Sequence, residues 1–184
     1  MDAVDLTLTR TQPVVRPGLP RRFVRHLRRS LPPLATVLVG SACWALVMAA
    51  SALLEVWRDG WGTEAKFATI AVLFGLGAAL AFPLGLTSAR FVSLGKSAEA
   101  TFAAYFLGLA LSTIGITSLL FAVDYREYYS TWHEEAFTVI WMFQMLFTTL
   151  GALAQFAVLG VRMFFPVGFV ALFVASLWFA RRAR

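Results

Sequence analysis

Apolar residues run in long unbroken blocks along this chain, and polar residues gather between them. Residues 34–54 and 67–87 form the first two blocks. Residues 100–123 are a charge-free run of 24, and 136–161 a charge-free run of 26. A last block of 18 residues, 163–180, follows the single charge of Arg162. At 1.5 Å per residue the two central runs exceed a hydrocarbon core of roughly 30 Å. The pattern predicts an all-α, polytopic integral membrane helical bundle. Five transmembrane helices are expected, with four plus a re-entrant tail as the alternative. Residues 1–33 read as a flexible N-terminus and basic juxtamembrane segment, and 34–184 as the transmembrane helical domain.

Within the blocks, small and polar residues recur at helical spacing. On the third span these are Thr101, Tyr105, Gly108, Ser112 and Gly115, and on the fourth Trp141, Gln144, Thr148, Gly151 and Gln155. Consecutive spans joined by a short link are expected to pack on each other. The two stripes are therefore expected to form a helix–helix seam, or else a polar path. Gln144 and Gln155 weigh most, because an amide in lipid needs a partner. Ser41, Ala45 and Ala49 on the first span, and Gly77, Ala81 and Gly85 on the second, are further close-approach stripes. Trp44 lies too deep in its span for the interfacial belt and is expected against another helix or lipid.

The link 124–135 is expected to be an external polar loop carrying Asp124, Arg126, Glu127, His133, Glu134 and Glu135. His133 and Glu134 are adjacent and point apart on a helix, whereas a metal needs three or four converging ligands. His26, the other histidine, is expected across the membrane. No metal and no cofactor are expected. Glu134 and Glu135 suit the positive end of the fourth helix.

Charge orients the blocks. The chain carries +6 formally, yet only 14% of its residues are charged, against roughly 25% for a soluble domain. Arg21, Arg22, Arg25, Arg28 and Arg29 precede Pro32 and Pro33, with Leu19, Phe23 and Leu27 on another face. This segment reads as a short helix on a leaflet with anionic headgroups. The same arginines give a cytoplasmic N-terminus in a cell membrane, a bacterial inner membrane being the expected setting. They also account for the basic balance without a nucleic-acid partner. Five spans leave ten basic residues inside and six outside, with Arg181, Arg182 and Arg184 on the wrong side of the rule.

No nucleophile elbow, metalloprotease helix or phosphate-binding loop occurs in the sequence. Cys43 is the only cysteine, so no intrachain disulfide forms. No charge lies deep in a span, as ion-coupled carriers need. The expected role is a non-enzymatic accessory or scaffold protein that packs against a larger membrane partner, or forms a homo-oligomer. The alternative is a small lipid or solute transporter acting as an oligomer.

Overall fold

A computed structural model of the chain describes residues 19–60 and 64–183. Six α-helices follow one another: α1 (Leu19–Ser30), α2 (Leu34–Arg58), α3 (Glu64–Ser93), α4 (Ala98–Tyr129), α5 (Val139–Gln155) and α6 (Val167–Arg182). No strand occurs among the described residues. Among the described residues four stretches are long and apolar enough to cross a membrane: Leu34–Arg58, Lys66–Ser93, Ala98–Trp132 and Val139–Phe164. This is compatible with a multi-pass membrane protein. α6, at 16 residues, spans about 24 Å, which is short of the hydrocarbon core.

Local chemistry sets the ends of the helices. Pro33 precedes α2, and its carbonyl accepts from Val37 N–H at 3.1 Å. Gly95, with φ +73°, reverses the chain before α4. Ser97 then caps that helix, its hydroxyl accepting from Ala100 N–H at 3.4 Å. Thr138 caps α5 in the same way, through Trp141 N–H at 3.1 Å.

α2, α3 and α4 form an antiparallel core. A Cβ built on Gly75 would lie 3.6 Å from Ala49 Cβ and 3.7 Å from the Ala45 carbonyl, so the α2 stripe faces α3. The α3 stripe faces α4 more closely still. A Cβ on Gly77 would come within 2.9 Å of Thr117 Cα, and one on Gly85 within 2.8 Å of the Gly108 carbonyl. Gly85 and Ala81 are buried, as are Phe82 and Leu86 beside them.

The bundle thus has two ends. At the near end α2 starts, α3 finishes and α4 starts. α1 docks there: a His26 ring nitrogen lies 3.1 Å from the Phe91 carbonyl, and Arg90 donates to the Leu31 carbonyl at 3.4 Å. At the far end α2 finishes, α3 starts and α4 finishes.

The rest of the chain returns from the far end to the near end. After α5 come a π-helical turn, Phe156–Gly160, and a 3-10 turn, Val161–Phe164. Phe156 stacks on Phe74 at 5.9 Å and meets Phe121 at 5.7 Å. Arg162 pairs with Glu55 and Asp59, at the far end of α2. α6 then runs antiparallel to α2 and α4. Gly168 N–H donates to Ser51 Oγ at 3.1 Å, and further along Phe179 stacks on Tyr105 at 5.6 Å. Arg181 and Arg182 accordingly finish at the near end, beside the start of α2.

Two expectations need correction. The stripe of Tyr105, Gly108 and Ser112 does not meet the fourth span: Gly108 and Ser112 face Gly85 on α3, and Tyr105 faces α6. The glycines of α3 admit a closer backbone approach than α5 offers, since a Cβ on Gly151 would meet nothing within 4 Å. The polar link is also shorter than its composition suggests. Asp124, Arg126 and Glu127 belong to the last turns of α4, a helix of 32 residues. The end of an apolar run marks where lipid stops, not where backbone hydrogen bonding stops. The N-terminal segment before Leu19, with Trp61 and Arg184, lies outside the described residues.

Candidate functional site

Three features lie on this frame. The first is an apolar groove between α2 and α6, of about 640 Å³. Val39, Cys43 and Val47 form its α2 wall, and Ala171, Ala175 and Trp178 its α6 wall. Trp44, Phe82 and Phe179, all buried, make the floor. Trp44 is held there because its indole N–H donates to Thr113 Oγ1 at 3.0 Å inside the bundle. At the near end of the groove the Arg182 guanidinium lies 4.0 Å above the Trp178 ring. Aliphatic walls with a cation at one mouth suit a molecule with an apolar body and an anionic head.

The second feature is the ion cluster at the far end. Arg162 Nε lies 3.1 Å from Glu55 Oε1, and a second guanidinium nitrogen pairs with Asp59. Arg58 also approaches Glu55, at 3.5 Å. The Glu55 side chain is only 13% exposed, and these partners offset the cost of burying it. The cluster ties the turn between α5 and α6 to the end of α2.

The third feature is α5 with the link that precedes it. Glu134 N–H donates to Gln144 Oε1 at 2.9 Å, and a His133 ring nitrogen lies 3.3 Å from Thr148 Oγ1. These bonds fold the link back on α5. Beyond them the helix is uncovered: Ile140, Phe143 and Phe147 are exposed, and so are Gly151 and Gln155. Of the most apolar 18 residues within 139–164 only 11% are buried, against 22–28% in the corresponding stretches of the other three long spans.

The expected site residues therefore separate. Tyr105, Gly108 and Ser112 lie within the bundle, and Gln144 and Thr148 hold the link. Gly151 and Gln155 face outward. Arg28 and Arg29 are exposed on α1, and the side chains of Arg21, Arg22 and Arg25 lie outside the described residues. Glu134 and Glu135 are exposed, and no group of three His, Cys, Asp or Glu side chains converges among the described residues. Sequence reasoning missed the Arg162 cluster and the α2–α6 groove. The signal for the first was a lone arginine between apolar blocks, with two acids closing an earlier one. Comparison with protein-family models, curated proteins and solved structures gave no match.

Proposed function

We propose that the chain is a non-enzymatic integral membrane subunit that holds a membrane-protein partner through α5. The observation that carries this reading is the outward pair of Gly151 and Gln155. They lie four residues apart on one face of α5, both exposed, whereas its other polar side chains, Gln144, Thr148 and Thr149, are hydrogen-bonded within the chain. An amide facing lipid is unfavourable until a second helix meets it, and a glycine beside it lets that helix come close. The large exposed side chains of α5, among them Ile140, Phe143 and Phe147, are also unsuited to water. The transporter alternative lacks comparable support, since Gln144 is tied to the link and Gln155 faces away from the bundle.

In this reading four traverses of a cell membrane are made by α2, α3, α4 and the broken pair α5–α6. Leu19 and Ala183, the first and last described residues, then share the near end. Among the described residues Arg21, Arg22, Arg25, Arg28, Arg29, Arg90, Lys96, Arg181 and Arg182 belong to that end. Arg58, Lys66, Arg126 and Arg162 belong to the other. Nine basic residues against four make the near end cytoplasmic, and the conflict raised by five spans disappears. α1 then lies along the cytoplasmic leaflet, where anionic headgroups attract its arginines.

The test is site-specific photocrosslinking in native membranes, with the probe at Gln155 and a control probe at Leu84, exposed on α3. The Gln155 probe should give a discrete adduct with another polypeptide, and Leu84 should not. An adduct of twice the chain mass would identify the partner as a second copy. Equal, diffuse lipid adducts at both positions would refute the reading.

A further inference from the structure

We propose that the α2–α6 groove binds one acyl chain of an anionic glycerophospholipid, with the phosphate held by Arg182. The inference rests on the membrane reading above but not on the partner at α5.

The groove has the dimensions of such a ligand. Its lining on α2 extends from Ala35 to Val47, about 18 Å of helix at 1.5 Å per residue. That is the scale of one leaflet's share of the hydrocarbon core. Its volume of about 640 Å³ falls among those of ligand-binding clefts. The floor is aromatic and fixed in place: Phe82 and Phe179 lie 6.1 Å apart, and the Trp44–Thr113 hydrogen bond anchors the third ring. A floor that is already ordered costs a bound chain little further ordering.

Charge selects the occupant. Trp178, an aromatic suited to headgroup depth, lines the groove toward its near-end mouth. The Arg182 guanidinium over its ring keeps donors free, because a cation–π contact uses the face of the ion and not its N–H groups. Arg181 precedes it, exposed. No acidic residue lines the groove. A zwitterionic lipid would leave this charge unbalanced, whereas a phosphodiester without an amine pairs with it. A second copy of the chain is the competing occupant. Its helix would bring apolar surface but nothing to meet the arginines, unless an acidic end is inserted.

The experiment uses the full chain in nanodiscs and a phosphatidylglycerol with a diazirine in one acyl chain. After irradiation, adducts are mapped by peptide mass spectrometry. They should concentrate on the peptides carrying Val39 to Val47 and Ala171 to Trp178. Unlabelled phosphatidylglycerol should compete about fivefold better than phosphatidylcholine, the preference expected from one arginine near an anionic surface. Arg182→Gln should abolish that preference while leaving adducts in place, and Arg182→Lys should restore part of it. Ala175→Phe should remove the adducts by filling the groove. Val174→Phe, on the α6 wall, serves if that variant is not monodisperse. Equal competition by the two lipids, or adducts spread evenly over the lipid-facing helices, would overturn the proposal. So would loss of adducts as the chain self-associates, which would assign the groove to a second copy.

Discussion

Arg162 Nε lies 3.1 Å from Glu55 Oε1, joining the turn before α6 to the far end of α2. With Asp59 as second partner, the arginine compensates two carboxylates at the edge of the apolar zone. Arg162→Gln leaves Glu55, only 13% exposed, with the weaker Arg58 contact alone. The expected loss is about 1 kcal/mol, since the arginine itself is half exposed. Arg162→Lys, which keeps the positive charge between Glu55 and Asp59, should recover part of it. Thermal unfolding in detergent measures both. If Arg162→Lys is no better than Arg162→Gln, the charge pairing is not what holds α6 in place.

The close approach of α3 and α4 gives a second prediction. Gly77→Ala brings a methyl carbon within 2.9 Å of Thr117 Cα, where backbone must yield. Overpacking of this kind costs about 1–3 kcal/mol. Gly115→Ala meets nothing within 4 Å and should be neutral, or stabilising by about 0.5–1 kcal/mol through helix propensity. Unfolding midpoints of the two variants, compared under one detergent, decide the matter. Equal midpoints would mean that the α3–α4 seam is looser than described.

The apolar blocks made the helices legible in the sequence: each lies mostly in helix, the last being broken at Phe165 and Pro166. Stripes such as Gly77, Ala81 and Gly85 marked which faces pack. Which stripe meets which did not follow. The α4 stripe was expected to meet the span that follows it, but it meets the one that precedes it, where Gly85 stands opposite Gly108 and α5 offers no such contact. The Arg162 cluster was hidden for a related reason: its partners, Glu55 and Asp59, stand more than a hundred residues away. Arg182 could be read only as a topology signal, because the Trp178 ring that it covers and the groove beyond depend on how α6 packs on α2.

The proposed orientation puts Arg182 on the cytoplasmic side and Arg162 on the other. In a Cys43→Ala background, single cysteines replacing Lys96 and Ala183 should be protected from an impermeant thiol reagent in intact cells. A cysteine replacing Thr131 should react. Lys96 and Ala183 belong to the near end and Thr131 to the far end, so the pattern separates four traverses from five. A reactive cysteine at position 183 with a protected one at 96 would restore the fifth crossing.

The last prediction separates two glutamines that the sequence treats alike. Gln144 accepts the Glu134 N–H at 2.9 Å, and Thr148 beside it meets His133 at 3.3 Å. Gln155, one further polar position along the stripe, is exposed on α5. Gln144→Leu therefore removes an acceptor inside the chain and should free the link over residues 133–138, at a cost of about 1 kcal/mol. Limited proteolysis should then cut the link faster, with the unfolding midpoint slightly lowered. Gln155→Leu alters nothing within the bundle, and replaces an amide with a side chain that lipid prefers. Its proteolysis and midpoint should match the parent, while co-purification of the partner falls. Gly151→Leu should behave as Gln155→Leu does, because its open surroundings are filled only when another helix arrives. Should Gln155→Leu unfold the isolated chain, its side chain belongs to the bundle, and α5 is not the docking surface.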